Sequence, residues 1–202
     1  KLKKINDKIY NESVVSDSLK KKFSIILVGK LSTITYLQYE FLQNKILPEI
    51  IKNDFVKNNI EIRLIGSKKH NDFNNLYKHE FVNHVGYVED LEEELINSDL
   101  YLCPSPKPLG SRSRLNEGMA YGCCILTSLY DQNADPNLKD EYNCFISRSP
   151  KEYVDRIEKL IKDPSSKNLI KKNALKTYNT KFKKSVACYE YEKDILSLVN
   201  NE

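Results

Sequence analysis

The chain has 202 residues, 32 Lys+Arg against 28 Asp+Glu, a formal charge of +4 and 40% hydrophobic residues. These figures fit one ordinary domain and exclude a charged low-complexity chain, because apolar runs such as Phe23–Val28 and Ile60–Ile65 recur between the polar stretches and can build a core. No apolar run approaches the roughly 20 residues that span a bilayer, and no charged-then-apolar leader opens the sequence, so the chain reads as cytoplasmic.

Residues 1–20, rich in Lys and Asn, carry only a weak helical pattern (Leu2, Ile5, Ile9, Tyr10) and read as a linker or incoming segment, with 21–202 as one domain. The only Met is Met119, so a chain opening at Lys1 reads as a piece of something longer. From Phe23 onward, short β-branched runs alternate with segments of helical period. The predicted strands are Phe23–Val28, Ile60–Ile65, Val82–His84, Leu100–Cys103, Cys124–Thr127 and Cys144–Ile146. Between them, Tyr36–Asn53, Phe73–Lys78, Leu91–Ser98 and Arg112–Tyr121 read as helices. Continuous rather than alternating apolar strands point to a parallel sheet covered on both faces. The predicted class is therefore α/β, a Rossmann-like doubly wound sheet of six parallel strands. Three further helices follow, Pro150–Ile161, Ser166–Tyr178 and Lys184–Leu198, with Pro150 and Asp163-Pro164 as breakers. The clusters Ile157, Leu160, Ile161 and Ile195, Leu196, Val199 are predicted to pack back on the sheet.

Five cysteines (Cys103, Cys123, Cys124, Cys144, Cys188) include no C-x-x-C pair, and most have apolar neighbours, so they read as buried reduced thiols. His70, His79 and His84 stand at no ligand spacing with them, which argues against a zinc site. The basic residues are mostly scattered lysines, which argues against a nucleic-acid surface.

In an open parallel sheet, ligands bind outside the carboxyl ends of the strands. The loops there are Gly29-Lys30-Leu31-Ser32, Gly66-Ser67-Lys68-Lys69, Gly86-Tyr87 and Pro104 through Ser113. Glycine at such places serves either a tight turn or a close approach to a ligand. In the fourth loop, prolines hold the chain extended until Gly110-Ser111 releases it into a helix whose first turn carries Arg112 and Arg114. A helix start attracts anions, and two guanidiniums in place of the usual acids suit a phosphate. Glu117 lies three residues after Arg114, so the plainer reading of that pair is an exposed ion pair.

The stretches Gly86-Tyr87-Val88-Glu89-Asp90-Leu91, Ser98-Asp99-Leu100-Tyr101-Leu102-Cys103-Pro104-Ser105 and Gly110-Ser-Arg-Ser-Arg-Leu-Asn-Glu117-Gly-Met-Ala-Tyr-Gly122 resemble the C-terminal half of a group-1 (family 4) glycosyltransferase of GT-B fold. Leu27-Val-Gly-Lys-Leu, Ile46-Leu-Pro-Glu-Ile, Leu64-Ile-Gly, Ile125-Leu-Thr-Ser, Asn143-Cys-Phe-Ile and Lys162-Asp-Pro extend the resemblance over roughly Phe23 to Leu198. It implies a transferase that moves a sugar, with retention, from a nucleoside-diphosphate sugar to a glycan, lipid or protein acceptor, as in polysaccharide biosynthesis.

By the same resemblance Glu117 holds the ribose hydroxyls, a task that suits a carboxylate with its two acceptor oxygens. Gly110, Ser111, Arg112, Ser113 and Arg114 receive the diphosphate, Gly29 and Gly66 line the donor site, and Gly86, Tyr87 and Val88 border the base. For Tyr87 the plainer reading is a packed aromatic. Arg112, Arg114 and Lys30 are the residues that would stabilise the departing diphosphate. No metal or other cofactor is implied, since no Asp-x-Asp motif occurs. The acceptor would be bound by an N-terminal domain absent from this chain, leaving the piece inactive alone, and the whole protein has scope for peripheral contact with the inner membrane face.

Two positions depart from the family pattern. Leu109 stands where a second glutamate is usual. The first loop offers Lys30 and Thr35 where an Arg and a Lys are common, and Lys replaces Arg as a point charge but not as a fork. These departures leave room for an inactive or epimerase-like relative; a reading of another class is a flavodoxin-like interaction domain that binds no nucleotide and whose Arg pair meets an acidic partner.

Overall fold

The computed structural model describes residues 21–30, 32–66, 68–109 and 113–199; the expected linker at 1–20 lies outside them. Six strands, β1 (Phe23–Val28), β2 (Ile60–Ile65), β3 (Val82–Gly86), β4 (Leu100–Cys103), β5 (Ile125–Ser128) and β6 (Phe145–Ser147), form one sheet in the order β3-β2-β1-β4-β5-β6. Every pairing is parallel. This is the order of the dinucleotide-binding sheet, with its switch point between β1 and β4, and it is not the flavodoxin order. That part of the interaction-domain alternative is corrected by topology. The last two strands begin one residue later than the sequence predicts, and β3 runs two residues further, to Gly86.

The stretch expected as one helix is broken three ways: α1 (Thr33–Phe41), a π turn (Leu42–Ile46) and α2 (Leu47–Lys52). Pro48 is the cause. It has no N–H to give the carbonyl of Asn44, and the wider π turn takes up the mismatch just before it. A separate short helix, α3 (Asp54–Asn59), starts under the side chain of Asn53, which accepts from the Val56 N–H. A 3-10 turn (Asn71–Phe73) and α4 (Asn74–Tyr77) precede β3. Then come α5 (Leu91–Asn97), capped by Asp90, α6 (Ser113–Ala120), and α7 (Leu129–Ala134), which the sequence reading does not contain. Helices α8 (Pro150–Lys162) and α9 (Pro164–Thr177) each open with Pro behind a capping side chain, Ser149 and Asp163. A π turn (Tyr178–Phe182) leads into α10 (Lys184–Val199).

The sheet separates two apolar clusters. One gathers Ile25, Leu27, Ile62, Leu64, Leu102 and Leu126 with the α1–α4 side and with Tyr153, Ile157 and Leu160 of α8. The other gathers Ile26, Ile65, Tyr101, Ile125 and Ile146 with Leu95, Leu115, Met119 and Ala174. At about 1.5–3 kcal/mol for each fully buried Ile, Leu or Met, these contacts dominate the stability of the fold. The expected return of the last helices holds for Ile157, Leu160 and the half-buried Ile161. It fails for Leu196, which is 53% exposed, and the side chains of Ile195 and Val199 lie outside those described. The edge strand β3 is only half covered, with Asn83 exposed, because no strand lies beyond it.

Candidate functional site

The carboxyl ends of β1, β2 and β3 are stitched together by their glycines. The Gly29 N–H donates to the Ile65 carbonyl at 2.8 Å and the Gly66 N–H to the Gly86 carbonyl at 2.6 Å. Gly66 has φ of +96° and its missing Cβ would stand 3.2 Å from the Gly29 carbonyl carbon, so both backbone shape and space require glycine there. Over these turns opens a cleft of about 810 Å³ lined by Lys30, Gly66, Lys68, Lys69, His84, Gly86 and Tyr87. Three ammonium groups and no carboxylate line it, a composition that favours an anion.

Arg114 reaches this region from the first turn of α6. Its Nη1 donates to the Val28 carbonyl and, at 3.3 Å, stands against the Thr35 hydroxyl of α1. A Cβ on Gly29 would lie 2.0 Å from that nitrogen and 2.5 Å from the hydroxyl. Gly29 and the short, fully buried Thr35 are thus the space in which the guanidinium rests. This corrects the ion-pair reading: Arg114 turns onto β1, at the switch point, and among the described residues Glu117 is exposed and has no ion-pair partner. Burial, and after it the negative charge of Glu92 and Glu117, hold the Tyr121 phenol above its ordinary range.

Tyr87 is 85% exposed at the cleft, which corrects the packed-aromatic reading, because nothing beyond the edge strand covers it. Val88 instead packs against the second apolar cluster. Ser113 is exposed at the start of α6, while Gly110, Ser111 and Arg112 lie outside the described residues. Sequence reasoning puts Lys68 and Lys69 in a ligand-edge loop without giving them a role, and misses His84 as a lining residue. The Gly-x-Lys-Lys turn is a usable signal for the lysines. His84 enters the sequence reading as the end of a strand and as a histidine at no zinc-ligand spacing; it sits edge-on to Tyr77 with centroids 5.3 Å apart, and its buried Nε2 meets no hydrogen-bond partner among the described residues. Lys69 lies over the same Tyr77 ring, 5.7 Å from its centre.

The other half of the carboxyl edge is closed. Asp131 of α7, 2% exposed, accepts from the hydroxyls of Ser105 (3.0 Å), Thr127 and Ser128 (3.0 Å), and caps its own helix reciprocally with Ser128. Ser105 begins the loop that leads to α6, so this carboxylate pins the loop to the end of β5. Cys103, at the end of β4, and Cys123, Cys124 and Cys144, which precede β5 and β6, are buried in the β4–β6 half of the sheet, and burial pushes the last three thiols up to about 12. Cys188 is exposed, against the expectation of burial, since it lies on α10 away from the sheet. Among the described residues, no three His, Cys, Asp or Glu side chains gather as metal ligands would, and no helix is long and apolar enough to cross a membrane.

The architecture has solved counterparts. Anabaena HepE in complex with UDP superposes with a TM-score of 0.69 at 15% identity, over 88% of this chain and 49% of that one. The C-terminal domain of the group 1 glycosyl transferase LpcC from Francisella tularensis gives 0.61 at 20% identity, over 80% of this chain and 87% of its own. Sucrose-phosphate synthase from Thermosynechococcus elongatus gives 0.67 at 14% identity, over 92% and 47%. The chain thus spans about half the length of HepE and of the synthase. No curated protein sequence matches it. The sequence profile described as Glycosyl transferases group 1 matches residues 22–163, well over half of the chain. With that match, and with a six-stranded parallel sheet shared with those structures, the chain belongs to the group 1 glycosyltransferases and has the C-terminal half of their GT-B fold.

Proposed function

We propose that this chain is the donor-binding half of a transferase that moves a sugar from a nucleoside-diphosphate sugar to an acceptor, with retention at the transferred carbon. The observation that carries the reading is Arg114, seated on the carboxyl end of β1 at the switch point, beside a cleft lined by Lys30, Lys68 and Lys69. HepE, with the same fold, is known in complex with UDP and with UDP-glucose, which supports a nucleotide here.

The diphosphate would lie between Arg114 and Lys30 at the head of α6, with Ser113 beside it and with Gly110, Ser111 and Arg112 as its further donors. As the bond from sugar to phosphate breaks, negative charge grows on the leaving diphosphate. Fixed cations at that place stabilise it without rearrangement, and in a site that needs no metal. Anchoring by the Val28 carbonyl matters here, because a guanidinium already held in place loses less freedom when the charge arrives. Glu117, exposed one turn further along α6, would accept two ribose hydroxyls, and the base would lie along Gly86 and Tyr87. The acceptor, a glycan or lipid-linked glycan, would be held mainly by an N-terminal domain, so this half binds donor and transfers little. The protein would act at the cytoplasmic side in glycan assembly.

Calorimetric titration with UDP, GDP and ADP and with the matching nucleosides tests this. Binding of one diphosphate, much weaker binding of its nucleoside, and loss of that difference in Arg114→Ala are expected. Failure of every diphosphate to bind the folded chain would overturn it.

A further inference from the structure

The charge of this chain is unevenly placed. The segment 164–189 holds seven of the 32 basic residues, all lysines, and none of the 28 acidic ones, so the remainder of the chain is net acidic. Two of the seven are spent inward: Lys167 pairs with Asp99 at 2.6 Å, and the buried Lys171 points its ammonium at the Ser98 carbonyl. The other five, Lys172, Lys176, Lys181, Lys183 and Lys184, are exposed, and among the described residues none makes an ion pair.

Their spacing gathers them. On α9, Leu169, Lys172 and Lys176 recur at intervals of three and four and share the outer face, opposite Ile170 and Ala174, which are buried. The helix continues through the π turn to Lys181 and Lys183. Leu169 stands in this stripe 58% exposed. A row of flexible ammonium groups carrying an unburied leucine, without one carboxylate to interrupt it, is complementary to a negatively charged plane that also has an apolar layer beneath it. Arginine, the residue suited to forked recognition of individual phosphates, is absent from the segment, which sets the stripe apart from a nucleic-acid surface.

We propose that the outer face of α9 and the turn after it dock this domain on an anionic lipid surface. The lysines supply long-range attraction that salt screens, and Leu169 supplies a short-range apolar anchor. This does not depend on the donor cleft, which lies at the carboxyl edge of the sheet.

The test is co-sedimentation of the 202-residue chain with vesicles of phosphatidylcholine alone and of phosphatidylcholine mixed with phosphatidylglycerol. Binding to the mixed vesicles only, falling as salt is raised, is expected. Replacing Lys172, Lys176 and Lys183 by Glu should lower it by at least about tenfold, while Leu169→Ser should lower what remains at high salt. All four positions are exposed, so circular dichroism and melting should be unchanged. Should the triple charge reversal fail to fold, Lys172→Gln with Lys176→Gln gives the same reading at smaller amplitude. Equal binding to both vesicle types, no binding to either, undiminished binding by the folded variants, or retention by duplex DNA without vesicle binding would each overturn the proposal.

Discussion

The two halves of the sheet finish their strands in opposite ways. Past β1, β2 and β3 the chain turns on Gly29, Gly66 and Gly86, leaving backbone bare beneath an open cleft. At the ends of β4 and β5 stand Ser105, Thr127 and Ser128, whose hydroxyls converge on the buried Asp131. One half is kept vacant by small residues and lined with cations; the other is filled by a satisfied polar network that fixes a loop. The helix carrying Arg114 and Glu117 begins from the fixed half and delivers its guanidinium to the vacant one. A site at a switch point needs both, since an open cleft binds nothing tightly unless the groups around it are held.

The largest expected difference between the halves is in alkali. Thiols of the unfolded chain ionise near 9, whereas Cys123, Cys124 and Cys144, buried in the β4–β6 half, keep their protons to about 12. Their contribution to stability is therefore complete below pH 9 and falls as the pH rises from there towards 12, by at most about 1.4 kcal/mol per thiol per unit. Denaturant unfolding at about pH 8 and about pH 10 measures this. Cys→Ala at the three sites should flatten the profile.

Next, Asp131→Ala takes away the shared acceptor of three buried hydroxyls and the carboxylate half of a capping box, leaving Thr127 the Cys103 carbonyl and Ser128 its N-cap bond, and should cost about 2–4 kcal/mol in denaturant unfolding. Truncating Lys68 and Lys69 in the open half should cost no more than about 0.5 kcal/mol, yet weaken diphosphate binding. Gly29→Ala lies between: the new methyl evicts Arg114 from its seat, so binding of a diphosphate should fall by about tenfold or more, to roughly the level of Arg114→Ala. Glu117→Gln should leave stability within about 0.5 kcal/mol and weaken nucleoside diphosphate binding by about 1–3 kcal/mol. Unaltered affinity in calorimetry would remove Glu117 from the site. The smallest effect is chemical: iodoacetamide at neutral pH should label Cys188 and spare the four buried thiols, as read by mass spectrometry of the folded chain.

Much of this was written in local pattern. Apolar runs of four to six residues between helical periods are enough to announce a parallel sheet, because a strand covered on both faces has no polar side to show; β1, β2 and β4 are legible to the residue. The Gly-rich turns and the Arg-bearing start of α6 were legible for the same local reason. The short helix α7 was not, since it rests on Ser128 and Asp131 capping each other, and nothing in a six-residue stretch announces burial. The π turn ahead of Pro48 was hidden too, because proline reads as a boundary when the surrounding core in fact holds the helix through it.

Sequence by itself therefore determined the class of the fold and the turns that end its strands, which follow from side-chain periodicity and from residues close together in the chain. The family came from the resemblance of its motifs. Only the tertiary structure decided that Arg114 rests on Val28 and Thr35 and leaves Glu117 unpaired. It also decided that Tyr87 stands in the open, and that one end of the carboxyl edge is a cleft while the other is a buried carboxylate. Residues 86 positions apart meet through the sheet order, and a charge chooses its partner by the space and the carbonyls that order brings to it.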